Sequence, residues 1–332
     1  VFALILALLI TTQLRASFDT TSIRNVAFKP IQAFDSIPDA PEINSAFLDP
    51  KPIILHADFS DYEALHALIP GEPQLLFYDG DTAARIYWRC TKCTPISLDA
   101  KYIGDTEYFT DTNSKDTRFL ARFSYKDIDG RTNILIAAST TDAQPDALLT
   151  GRFTCGIVSL AVFTEQDSSK YHLTKFVPAW RCLGQFCSPP TPQLLEIGPA
   201  QYALILNDYD QGGGGPVFES CELTSISGNF FKDILPKTPT GRWNIVRTDY
   251  HSRFIPQKDS IDNGCYRLIL ETKGEFLASD WTKDELVDIP KKLISESRKK
   301  GTVHFVWKNY YKYDGVQYQW YSETLKLGKG KS

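Results

Sequence analysis

Three groups of residues in this chain have types and spacings that could support chemistry. The first is Arg89-Cys90-Thr91-Lys92-Cys93, a CxxC at the end of the aromatic stretch Ile86-Tyr87-Trp88. A redox pair of this kind needs a helix N-terminus to stabilise the thiolate, and Thr94-Pro95-Ile96-Ser97 does not begin an amphipathic helix. A zinc site would need a second close pair, and Cys182 and Cys187 have a looser spacing. Cys90, Cys93, Cys182 and Cys187 are therefore read as disulfide candidates, with Cys182 and Cys187 near enough to staple a local loop. The second group is the histidines, His56, His66, His172, His251 and His304. None makes an HExxH or other close metal pair, and His56-Ala57-Asp58 with Asp61 reads as a packed or surface histidine near acids. The third is a scatter of carboxylates, of which Asp58, Asp127 and Asp210 would be the acids of a hydrolase. No GxSxG elbow, P-loop or GxGxxG occurs.

One acidic turn carries more information than the others. Tyr125-Lys126-Asp127-Ile128-Asp129-Gly130-Arg131-Thr132-Asn133 runs directly into the aliphatic strand Ile134-Leu135-Ile136. Carboxylates and an amide around a glycine turn can surround a hard cation with oxygens, so Asp127, Asp129 and Asn133 are candidate calcium ligands. The segment resembles the loop-strand unit of FG-GAP and VCBS-type repeats, which build β-propellers. Tyr125 stands where that pattern has its first aspartate. Asp79-Gly80-Asp81 and Asn207-Asp208-Tyr209-Asp210 echo it more faintly. The resemblance implies a propeller-like all-β fold, with calcium as its one candidate cofactor.

The elements that must position these groups read as strands. Short runs rich in β-branched and aromatic residues recur at 74–78, 85–88, 117–125, 133–139, 157–164 and 171–177. They continue at 201–207, 221–225, 243–247 and 266–271, separated by Gly, Pro, Asn and Asp. A helix is expected from Ser60 to Leu68, opened by a Ser60/Glu63 capping box. A second is expected from Thr282, with Pro290 kinking it or starting it afresh and Gly301 ending it. Asp314-Gly315 predicts a two-residue hairpin turn pairing Tyr313 with Val316, Tyr311 with Tyr318 and Asn309 with Trp320. Gly212 to Gly215 reads as a surface connection. Tyr310, Tyr321, Trp180 and Trp243 are candidates to line a carbohydrate or peptide groove by stacking, although most aromatics must fill the core.

Composition narrows the class. The 332 residues carry 36 Lys+Arg against 40 Asp+Glu, a net charge of −4, with 13% aromatics. That balance, without a basic run, argues against a nucleic-acid partner, and the aromatic content argues against disorder. Val1 to Ile10 is an apolar run of 10 residues, short of the roughly 20 needed to cross a bilayer. Residues 1–16 are expected to be a signal peptide, with a buried N-terminal helix or strand or an uncleaved anchor as alternatives. No membrane span is expected beyond that segment, and 17–51 is expected to be an extended leader. An α/β-flavoured section follows over 52–110, a main β domain over 111–325 and a basic tail over 326–332. The fold expected is all-β and mainly antiparallel, a degenerate propeller-like or stacked-sheet domain, with a β-sandwich as the alternative. The function expected is an exported, secreted or periplasmic, non-catalytic binding protein for a protein, peptide or glycan ligand. The alternatives are a secreted hydrolase of a glycan or ester, and a thiol-redox or metal protein using Cys90 and Cys93.

Overall fold

A computed structural model describes residues 53–69, 71–76, 85–90, 115–142, 155–185, 188–211, 215–228, 230–245 and 248–328. The expected signal peptide and leader, Cys93, Cys187, Asp79-Gly80-Asp81 and most of the glycine run lie outside these residues. The chain is all-β and antiparallel. Its first sheet holds β1 (Ile54–His56), β2 (Glu72–Leu76), β3 (Arg85–Cys90), β4 (Lys115–Lys126), β5 (Thr132–Asp142), β6 (Gly156–Asp167) and β7 (Lys170–Leu183). It is a meander from β2 to β7, with β1 added at the free edge of β7. The second sheet is an unbroken eight-stranded meander. It comprises β8 (Gln193–Gly198), β9 (Gln201–Gln211), β10 (Val217–Ser225), β11 (Lys232–Ile245), β12 (Thr248–Asp262), β13 (Cys265–Phe276), β14 (Val303–Tyr313) and β15 (Tyr318–Leu327). The expected boundary near residue 110 falls inside the first sheet, because β3 pairs directly with β4. The change of sheet comes between Leu183 and Gln193.

The central strands β5 and β6 of the first sheet are buried on both faces, so their middle stretches are apolar almost without interruption. Along β5, Ile134 and Ile136 face one way and Leu135 and Ala137 the other. The Ile134 side packs with Phe163 and Phe176 against α1 (Asp61–Leu68), through Ala64 and Leu68. The Leu135 side packs with Leu160, Val162 and Trp180 against Leu204, Leu206 and Phe231 of the second-sheet half. Leu135, Leu160 and Phe163 are fully buried, each worth about 1.5–3 kcal/mol of transfer free energy. The capping box of α1 forms as the sequence predicts: Glu63 N–H donates to Ser60 Oγ at 3.2 Å, and Ser60 N–H donates to Glu63 at 2.6 Å.

The seam between the sheets is polar as well as apolar. Trp180 Nε1 donates to Thr224 at 3.1 Å, and Arg181 donates to Glu222 at 2.8 Å and to Asp233. The next residue, Cys182, is disulfide-bonded to Cys155 with the Cα atoms 5.4 Å apart. This corrects the local Cys182–Cys187 staple: β6 lies beside β7 and brings Cys155 to Cys182, while the 182–187 loop turns back through a Gln185–Ser188 bridge. Cys90 is also disulfide-bonded.

The second sheet curls until β8 meets β12 and β13. Glu196 closes this seam by accepting from Lys258 at 2.6 Å and from the Tyr266 hydroxyl at 3.4 Å. The concave interior holds Leu223, Leu268, Leu270, Tyr311 and Tyr318. At one end Phe276, Leu286 and Phe305 pack against Leu293 of α2 (Lys291–Lys300). Thr282 and Glu285 make their expected reciprocal bonds, but 282–289 is a chain of turns, and the helix begins only after Pro290. Proline thus starts the helix, since it has no N–H to continue an earlier one. Gly301, at φ 78°, ends it as expected.

Four strand expectations change: β8 was not anticipated, β11 begins at Lys232 rather than at Trp243, and β12 and the C-terminal hairpin also differ. β12 was not anticipated, because its alternation of Tyr250, Ser252 and Phe254 with His251 and Arg253 is diluted by charge. The C-terminal hairpin forms, but Tyr313 pairs with Tyr318 and Tyr311 with Trp320, two residues off the predicted register, and a bulge at Tyr310/Tyr311 makes the offset three from Tyr310 onward. Asp314 causes the slip. Its Oδ1 accepts from the Val316 and Gln317 backbone N–H groups at 2.7 and 2.8 Å, making a longer loop closed by Asp314 N–H to Gln317 O. A slip of two preserves which face each side chain takes, so Tyr311 and Tyr318 remain buried.

The curl leaves no room for a side chain at Gly198, where a Cβ would lie 2.3 Å from the Gly264 carbonyl oxygen and 3.2 Å from Cys265 Cα. Gly198→Ala is expected to destabilise the protein by about 1–3 kcal/mol through overpacking against backbone. Urea denaturation measures this, and an unchanged midpoint would mean the seam is not closely packed.

Candidate functional site

The acids and cysteines singled out from the sequence do not converge. Asp58 and His56 are exposed near the end of β1. Asp210, on β9, accepts from Gln185 at 3.2 Å. Asp127 and Asp129 sit in the β4–β5 turn, where one cation already lies between them. Arg131 donates to Asp127 at 3.2 Å and to Asp129 at 3.0 Å, and Asp127 also accepts the Asp129 and Arg131 backbone N–H groups. Burial opposes ionisation of Asp127, but these hydrogen bonds and Arg131 together lower its pKa. The Asn133 amide oxygen is taken by Thr164 at 2.7 Å. Arg131 and Thr164 thus engage the oxygens that the calcium reading would use. No group of three or more metal-ligating side chains is found among the described residues. Of the aromatic candidates, Trp180 is buried in the sheet interface, whereas Tyr310 and Tyr321 form an exposed-edge pair 6.2 Å apart.

Trp243 leads to a different constellation. Register places Tyr209, Glu219, Gly241 and His251 directly opposite one another across β9, β10, β11 and β12. β11 makes an irregular step beside Glu219, pairing Ser220 with Pro239 but Glu219 with Gly241. That bulge turns the end of the strand and aims Gly241 and Trp243 into the row. The rings then line up. Tyr209 meets Trp243 edge-on at 5.5 Å and 87°, and His251 lies 5.2 Å from Trp243, tilted by 35°.

Glu219 stands at the centre. Its side chain is only 15% exposed, and its Oε2 is 4.0 Å from His251 Nδ1, while His251 Nε2 is 3.3 Å from Asp249. Burial raises the Glu219 pKa, and the nearby imidazole only partly offsets this. Burial also raises the Tyr209 hydroxyl, with the Glu219 charge adding to it. Gly241 lets the Glu219 and Trp243 side chains close over the strand: a Cβ there would come within 2.7 Å of Glu219 Oε2 and 3.1 Å of Trp243. The result is an aromatic ledge beside a carboxyl group whose pKa is raised by burial, with an exposed imidazole at its rim.

The row continues through Lys273 on β13. One step along, Arg253, Glu271 and Lys308 pair across three strands. Glu271 is 6% exposed and contacts Lys273 at 2.7 Å, Arg253 at 3.0 Å and Lys308 at 3.1 Å. These bonds, Lys273 foremost, hold its carboxyl down at about 2 despite desolvation. The ledge thus has the Glu219 carboxyl at one end and a cationic cluster around Glu271 at the other. Trp243 was legible in the sequence. Glu219 and His251 were not, because only strand register brings them together.

Two outcomes follow from these groups. A raised carboxyl pKa means that ionisation of Glu219 costs folded-state stability as pH rises through the ordinary range near 4.5. Glu219→Gln should therefore raise the melting temperature at pH 7, and a lower one would show that the charge is stabilising. Glu271 has the opposite sign: its stabilisation is present above pH 4.5 and is lost as pH falls towards about 2. Glu271→Gln should flatten stability across that acid range, read by urea midpoints at stepped pH, and an unaltered slope would contradict the assignment.

Comparison with protein families, curated proteins and solved structures finds no match to this chain.

Proposed function

We propose that this chain is a non-catalytic binding protein whose second sheet presents the Tyr209–Glu219–Trp243–His251 ledge to a glycan. The observation that carries this reading is the ring row beside a half-buried carboxyl over Gly241. A sugar ring offers an electropositive C–H face to an aromatic side chain and hydroxyls at its edge. Glu219 and His251 supply donors and acceptors where those hydroxyls would reach. Few polar groups on an otherwise apolar shelf is the usual composition of a small-ligand site.

Export is part of the proposal. The Cys155–Cys182 disulfide and the bonded state of Cys90 support an oxidising compartment, secreted or periplasmic. Among the described residues no helix is long and apolar enough to cross a membrane. The hydrolase alternative has less support, since Asp58, Asp127 and Asp210 lie on separate elements and the last two are engaged elsewhere.

The test is a panel of mono- and oligosaccharides followed by tryptophan fluorescence and calorimetry, with product analysis for turnover. At least one saccharide should bind without being cleaved, and Trp243→Ala or Gly241→Ala should weaken it tenfold or more, about 1.4 kcal/mol. Binding that ignores both substitutions, cleavage of the bound sugar, or no binding across the panel would overturn the reading.

A further inference from the structure

A second feature lies where the turns after β13 and α2 cap the curled sheet, the end that Arg242, beside Gly241, also reaches through Asp280. The turns at 282–289 and the exposed side of α2 border a shallow, open groove of about 470 Å³. Its floor is apolar, formed by Leu286 and Ile294, which are anchored in the core beneath. Around it stand Lys283, Lys291, Arg298 and Lys299, all exposed. None of these four makes an ion pair, whereas the neighbouring Lys300 is bound to Glu296 at 2.6 Å. Asp284 and Asp288, on the same turns, do not line the groove.

The start of α2 adds to this field. Pro290 provides no side-chain cap, and the first turn contains no acidic residue. The N–H groups of Lys291 and Lys292 therefore lack a helical partner and contribute positive potential at the lip. These four exposed cations, of which Lys299 also lies in the field of Glu296, are a local concentration of positive charge on a protein of net charge −4, of the kind that attracts anions. The volume falls in the range of small-molecule sites. Inorganic ions alone would not use the apolar floor, and a neutral hydrocarbon would not use the cations.

We infer that this groove binds an anionic amphiphile. An alkyl or acyl chain rests on Leu286 and Ile294, and its acid group meets Lys291, Arg298, Lys299 and Lys283. A soluble fatty acid or alkyl phosphate and an anionic lipid in a bilayer share this chemistry. The inference is separate from the glycan ledge, which lies on other strands.

The experiment uses the full chain with decanoate and decyl phosphate, each below its micellar concentration, in calorimetry at low and moderate salt. Inorganic phosphate and a neutral decyl polyoxyethylene ether are the controls. Vesicles of phosphatidylcholine with and without phosphatidylglycerol test the membrane source. The variant is Lys291→Gln/Arg298→Gln/Lys299→Gln, at three exposed positions. Decanoate or decyl phosphate should bind 1:1, at least tenfold more tightly than either control. The triple variant should lose tenfold or more of that affinity while retaining the wild-type melting curve. Binding to anionic vesicles alone, lost in the same variant, would identify the bilayer as the source. Equal binding by the triple variant, controls as tight as the amphiphiles, or no binding to any of these probes would overturn the inference.

Discussion

One buried guanidinium ties the two halves of this fold together. Arg181 is 8% exposed, stacks its guanidinium 4.6 Å from the Trp180 ring, and binds Glu222 of β10 and Asp233 of β11. A cation removed from water is tolerated only when its hydrogen bonds are nearly complete, so the geometry of this pair of carboxylates is restricted. The restriction sets how β7 lies against the second sheet. Trp180 and the Cys155–Cys182 disulfide, on either side of Arg181 in sequence, hold the same stretch of β7 in place.

The consequence reaches the candidate site through β10 and β11. Both strands are fixed at one end by the Arg181 pairs and continue, past the irregular step at Glu219, to Gly241 and Trp243. The rigid part of the fold is therefore the scaffold, and the ledge is its far extension. Glu219 is kept where burial disfavours its charge. Nearby, Glu271 shows the opposite arrangement, a carboxylate surrounded by three cations that favour its charge. Two glutamates on one sheet thus differ because of their neighbours.

Much of the fold was legible in the sequence, and most of the site was not. Alternation and turn residues located the strands of the first sheet, and the Ser60/Glu63 signature located α1, because these are local signals. β12 was hidden, since His251, Arg253 and Lys258 place charge where a strand reading expects apolar residues. The hairpin register was missed because the Asp314 side chain competes for backbone N–H groups, which a two-residue turn rule does not weigh. Cys182 chose Cys155 over Cys187 because strand pairing outweighs sequence proximity. Glu219, Gly241 and His251 are far apart in the chain and share no motif. Their juxtaposition exists only once β9 to β12 are in register.

The most direct test of this account is the titration of the Glu219 carboxyl by ¹³C NMR, with the Trp243 indole and His251 ring protons followed alongside. The account predicts a midpoint above the ordinary value near 4.5, with the same transition felt by both rings. A midpoint at or below 4.5, with the rings insensitive to it, would contradict the claim that the ledge is built around an acid whose pKa is raised by burial.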